Sequence, residues 1–233
     1  MRFFRITLRK KEESGLNEFI SWLETRGYKV HFKVHEVSNY GVPQHRKRFT
    51  LIANRITETE LEPVIVQGKK MTVRDVLGEK NGFPKITQGH KDQSEFMHTV
   101  AGLNALNLER LSLTEQNGGT RMAYVYDKRL APPCHYGKTD GFKDIYGRMW
   151  WDKPSPTITT KFFSFSNGRF AHPEEDRAIS LREGATLQSF PKTYKFVGSS
   201  TANIARMIGN AVPPKYATAI GKAIIQNHIN GTI

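Results

Sequence analysis

Between Ile56 and Met149 the chain keeps no hydrophobic period. Glycines, prolines and short apolar pieces are scattered there, and Ser112 to Tyr146 is loop-like almost throughout. A long structureless stretch is uncommon inside a compact protein. It limits the fold to two patterned ends around an irregular middle. Irregular segments held between ordered parts are often binding surfaces. A variable, weakly structured insertion is the plainer reading of the same residues.

The upstream end has a clear pattern. Leu16, Phe19, Ile20 and Leu23 fall at i, i+3, i+4 and i+7, which predicts a helix over Ser14–Arg26 stopped by Gly27. Tyr28, Val30, Phe32 and Val34 alternate and predict a strand over Tyr28–Val37. Asn39 to Pro43 is a turn, and Phe49 to Ala53 a second short strand. Helix, strand, turn and strand make the end of an α/β sheet whose beginning is not among these residues. After Trp150, helices are predicted over Leu181–Gln188, Thr201–Met207 and Pro214–His228. The last starts at a proline and carries a stripe of Tyr216, Ala219, Ile220, Ala223 and Ile224.

With 233 residues, of which 38% are hydrophobic, the chain can bury one or two cores. Its single cysteine excludes an internal disulfide and a cysteine-built zinc site, and fits a reducing cytoplasm. No metal ligands are singled out. No apolar run approaches the roughly 18 residues of a membrane span, and no signal peptide is read at the N-terminus. The net charge is +13. Residues 1–55 hold 12 basic and 5 acidic residues, an excess of 7. Clustered positive charge is a footprint for a polyanion, or simply a soluble basic surface.

Three segments carry a resemblance, in a fixed order. The first is Tyr40-Gly41-Val42-Pro43-Gln44-His45-Arg46-Lys47-Arg48-Phe49. The second runs from Pro154-Ser155-Pro156-Thr157-Ile158-Thr159-Thr160 through Asn167–Pro173 and Arg177–Pro191. The third is Ile208-Gly209-Asn210-Ala211-Val212-Pro213-Pro214. Together they resemble the Gln-x-Arg-x-Arg motif, the ninth block and the last block of DNA cytosine-5 methyltransferases.

The resemblance implies the end of a Rossmann-like catalytic domain plus a smaller, irregular, β-rich target-recognition domain. The expected boundaries are 1–55, 56–190 and 191–233. It implies methyl transfer from S-adenosylmethionine to cytosine in double-stranded DNA, in a bacterial or phage-encoded restriction-modification setting. Arg46 and Arg48 would orient the flipped cytosine and nearby backbone, with Gln44 bracing the strand. Gly209 would let the backbone turn, while Asn210 and Val212 close over the cofactor. Arg148 is a candidate DNA contact, and the Ser155–Thr160 stretch a threonine-rich strand. Leu187 and Phe190 are expected in the core, and Arg182 and Glu183 as a polar brace.

The family's Pro-Cys nucleophile lies upstream of the Gln-x-Arg-x-Arg motif. Cys134 lies downstream of it and is followed by His135 rather than Gln, so it is not assigned as the nucleophile. The glycine-rich cofactor loop and the Glu-Asn-Val block find no match either. The expectation is a part of the enzyme that needs a complementing N-terminal half. The competing readings are a non-catalytic DNA-binding module and the remnant of a truncated gene. Phe19, Leu23 and the stripe of Tyr216, Ile220, Ala223 and Ile224 are expected to lack part of their cover.

Overall fold

The computed structural model describes residues 15–141 and 144–230, with side chains as far as Asn227. Ser14, the expected helix start, lies outside them. The elements are α1 (Gly15–Glu24), β1 (Lys29–Glu36), β2 (Lys47–Asn54), α2 (Ala105–Leu113), α3 (Leu181–Leu187), α4 (Thr201–Asn210) and α5 (Pro214–Asn230). Short 3₁₀ turns lie between them.

The chain divides into two compact units. One holds the chain up to Glu36, Lys47–Ile65 and the chain from Ala217; the other holds Val37–Arg46 and Val66–Tyr216. This differs from boundaries at 55 and 190. The cause is local: residues 40–46 are hydrogen-bonded to residues 155–158, 188 and 209.

In the smaller unit, α1 ends in a Schellman motif. The Tyr28 amide donates to the Leu23 carbonyl and the Gly27 amide to Glu24, with Gly27 at φ +78°. Ile20 and Leu23 of α1 are buried against Val30, with Leu51 and Ala53 alongside. β1 and β2 pair antiparallel from Lys29↔Asn54 to Glu36↔Lys47. Val30, Phe32 and Val34 share one sheet face. Val30 is buried, whereas Phe32 and Val34 stay 42% and 40% exposed. Phe19 and Trp22 of α1 are also exposed, their rings stacked. Phe19 thus lacks cover as expected, and Leu23 does not. Of the α5 stripe, Tyr216, Ala219 and Ala223 are buried and Ile220 and Ile224 half-buried. In the larger unit Tyr216 meets the Tyr40 ring edge-on at 4.8 Å.

The larger unit is not β-rich. Among its described residues the only ladder pairs are the isolated bridges Gln44↔Ser155, Arg148↔Ala171 and Ala171↔Ala178. The Ser155–Thr160 stretch therefore makes one bridge rather than a strand. The core gathers from short pieces: Val73, Leu77, Phe83, Met149, Trp151, Ile158, Phe162, Ile179, Leu187 and Ile208 are among its buried residues. Every residue of α3 is buried, so this helix lies within the core. Its N-terminus carries a capping box between Ser180 and Glu183.

Without ladders, the carbonyls of these loops need other donors. Buried arginines supply them. Arg148 donates to the carbonyls of Leu111, Thr114, His172 and Glu175 and also pairs with Asp176. It is 1% exposed, so the proposed DNA contact is corrected: its fork is directed into the protein. Arg169 binds the carbonyls of Gly118, Gly119 and Arg148. Arg182 binds those of Glu95, Phe96, Pro191 and Tyr194. Arg182 and Glu183 therefore do not brace each other; Glu183 pairs with Arg177 instead.

Arg182→Met keeps volume but leaves several buried carbonyls without a donor. It is expected to destabilise the chain by about 3 kcal/mol. Denaturant unfolding measures this, and an unchanged midpoint would reduce Arg182 to a space-filling role.

Candidate functional site

The three segments of the resemblance meet in one buried network within the larger unit. Gln44 is fully buried; its Oε1 accepts from the Ile158 amide at 2.7 Å and its Nε2 donates to Gln188 Oε1 at 3.0 Å. Gln188 Nε2 donates onward to the Ile208 carbonyl at 2.7 Å. Arg46 donates to the carbonyls of Ile158 at 2.8 Å and Gly209 at 2.9 Å. Around them the His45 amide donates to the Ser155 carbonyl, the Ser155 amide to Pro43, and the Thr157 hydroxyl to His45.

Arg46 was expected on the substrate. It is 3% exposed and clamps two carbonyls, so its role here is to position the backbone. Gly209 also differs from expectation. It lies in the last turn of α4, and no positive φ requires glycine there. A Cβ would sit 2.5 Å from the Thr159 carbonyl carbon and oxygen. Glycine is needed for close backbone approach, not for a turn. Sequence reasoning missed this, because the Ile208–Pro214 motif reads equally well as a turn.

The neighbours of this network point outward. Asn210 is exposed, and its carboxamide makes no hydrogen bond among the described residues. Val212 is an exposed apolar side chain. Arg48, on β2 of the smaller unit, is half-buried; its Nη1 donates to its neighbour's carbonyl at Lys47. Burial draws the Arg48 pKa below its ordinary value, and no carboxylate offsets this. A partly desolvated guanidinium without an acid partner is suited to an anionic or carbonyl ligand. Cys134 is a free, exposed thiol just after Pro132 and Pro133.

A second cluster was not foreseen as a unit. Arg177 forks onto Glu183 at 2.7 and 2.9 Å and reaches Glu175 at 3.0 Å. Burial alone would raise the Glu183 pKa, but the charge and hydrogen bonds of Arg177 hold it at about 2. His172 Nδ1 accepts from the amides of Glu174 and Glu175, so its proton sits on Nε2, 3.2 Å from Glu175 Oε1. Burial lowers the His172 pKa to about 4, against the opposing pull of Glu183. Arg177, Glu183 and His172 of this cluster are enclosed in the fold, and Glu175 is half-buried.

The cluster contributes to the acid stability. The folded pKa of His172 lies below its ordinary 6.5, so an unfolded chain takes up that proton first. Stability from neutral His172 is full above pH 6.5 and declines as pH falls towards 4; Glu183 adds a decline between 4.5 and 2. The melting temperature should therefore drop between pH 7 and 4.5. His172→Gln should flatten that drop, and an equally steep drop in the variant would remove His172 as its cause.

Known proteins resemble the chain over most of its length. Residues 6–226 match the family model of the C-5 cytosine-specific DNA methylases. A type II methylase of Herpetosiphon aurantiacus is 38% identical over 213 residues, covering 89% of this chain and 58% of that protein. A type II methyltransferase of Bacillus subtilis is 29% identical, covering 88% of this chain and 46% of that protein. The chain thus spans about half the length of these relatives. The crystal structure of a DNA modification methyltransferase encoded within a prophage (E. coli) shares the fold with a TM-score of 0.62 at 20% identity. It covers 93% of this chain and 65% of that one. On the family match over nearly all its residues, the chain belongs to the C-5 cytosine-specific DNA methylases.

Proposed function

We propose that this chain supplies the target-recognition region and closing part of an enzyme that methylates cytosine C5 in duplex DNA, as a type II modification methylase. The observation that carries the reading is the contrast between two arginines of one motif. Arg46 is enclosed and bonded to carbonyls, whereas Arg48 keeps donors for a substrate. A target cytosine must leave the stack to be modified, and its carbonyl and flanking phosphates then need a planar fork. Arg48 fills that role. The exposed Asn210 amide and Val212 side chain, next to the pinned Gly209, cover a polar and an apolar part of S-adenosylmethionine. That co-substrate supplies the methyl group.

The nucleophile comes from an N-terminal half of the catalytic domain. The exposed Phe32, Val34, Phe19 and Trp22 support this reading, since apolar surface of this kind suits a further layer of the same domain. The 233-residue chain alone should transfer no labelled methyl to DNA, and adding the complementing half should restore transfer. Incorporation by the chain alone, abolished by Cys134→Ser, would overturn this assignment.

Arg48→Ala in the complemented enzyme should lower turnover by roughly 100-fold or more while changing duplex affinity only a few-fold. Equal losses in turnover at saturating DNA and in affinity would make Arg48 a general phosphate contact.

A further inference from the structure

Lys29, His31, Lys33 and His35 lie on one face of β1. The segment after β2 lays acids along that face with the same period of two. Lys29 Nζ is 3.3 Å from Glu58, His31 Nδ1 is 3.1 Å from Glu60, and Lys33 Nζ is 2.7 Å from Glu62. Residues 58–62 therefore follow the direction of β1. The exposed lysine pairs contribute little by themselves.

The histidines are arranged differently. One ring nitrogen of His31, one of His35 and a carboxylate oxygen of Glu62 all lie within 4.8 Å of one another. His35 is buried and His31 half-buried. Glu60 engages His31 Nδ1, which leaves Nε2 directed at the cluster, 3.9 Å from Glu62 Oε1. That Nε2 is buried and has no hydrogen-bond partner. An unsatisfied buried ring nitrogen beside a second imidazole and a carboxylate calls for an explanation.

We propose that His31 Nε2, His35 and Glu62 bind a divalent transition-metal ion of the zinc type. Two imidazoles and one carboxylate form a donor set suited to zinc, whereas calcium and magnesium prefer all-oxygen sites. Metal–ligand bonds of about 2.0–2.2 Å place tetrahedral donors roughly 3.3–3.6 Å apart. The cluster must contract by about 1 Å. Exposed Glu62, on an irregular segment, can make that movement. Glu60 behind His31 completes a carboxylate–histidine–metal relay that fixes the tautomer. Water fills the remaining positions. The ion would staple residues 58–62 onto β1. Two cations oppose it: Lys33, bonded to Glu62, and Arg48, which is opposite His35 in the sheet register. This site does not depend on the methylation reading.

The test is titration of the full 233-residue chain with cobalt(II), followed by visible absorption, and with zinc by equilibrium dialysis. Cys134→Ser serves as background to remove the only thiol. One equivalent should bind with the spectrum of a four- or five-coordinate ion. His31→Ala and Glu62→Gln should each weaken binding at least about 10-fold, and Glu60→Gln by less. Lys33→Met should tighten it, while His90→Ala, at an exposed histidine elsewhere, should leave it unchanged. Absence of saturable one-equivalent binding, or equal affinity in His31→Ala, Glu62→Gln and the parent, would overturn the proposal.

Discussion

A guanidinium presents five donors in a rigid fork, and the larger unit depends on that geometry. Its loops have almost no strand ladders, so buried carbonyls would otherwise face neither water nor amide. Arg46, Arg110, Arg121, Arg148, Arg169, Arg177 and Arg182 are all buried, and each donates to at least one carbonyl. Burying a charge is costly, but Arg is weakly hydrated and can close several acceptors at once. One side chain thereby joins segments far apart in sequence, as Arg46 joins residues 158 and 209. Lysine could not substitute, because a single ammonium lacks the planar reach.

This changes the meaning of the positive charge. A net of +13 reads from sequence as a footprint for a polyanion. Those seven buried arginines are partly accounted for inside the protein. On β1, Lys29 and Lys33 are matched by Glu58 and Glu62 from the following segment. Net charge therefore says less about binding here than the burial of each cation.

Four of the five helices (α1, α3, α4 and α5) and the two strands were legible because their apolar periods match the buried faces: Ile20, Leu23 and Val30 meet as the pattern requires. Residues 56–149 were also legible as irregular, apart from α2 (Ala105–Leu113), which the sequence reading did not predict. The buried arginines were not, since a basic residue that clamps carbonyls carries the same letter as one that binds phosphate. Arg148 shows the problem: nothing in Gly147-Arg148-Met149 distinguishes the two uses. A usable signal was the lack of alternating β-branched residues around it, which meant that loop carbonyls would need side-chain donors. The domain boundaries failed for a related reason. Asn39–Pro43 looks like a turn between strands, but Gln44 and Arg46 just after it hydrogen-bond to residues more than 100 positions away.

The smaller unit has a different weakness. Two paired strands are marginal without cover on their faces. One face has it, from the Glu58–Glu62 segment with its ion pairs. On the other, α1 packs around Val30, and further along Phe32 and Phe49 have ring centroids 6.4 Å apart. In this register Phe32 faces Leu51 and Val34 faces Phe49, so this end is apolar on both strands, and Phe32 and Val34 are exposed. Such an end gains most from a further packed layer, because each large side chain fully covered contributes roughly 1.5–3 kcal/mol. The larger unit has an aromatic and aliphatic core of its own. Stability is therefore built differently in the two: the larger unit is closed by carbonyl clamps, while the smaller unit, which carries Arg48, leaves Phe19, Trp22, Phe32 and Val34 exposed.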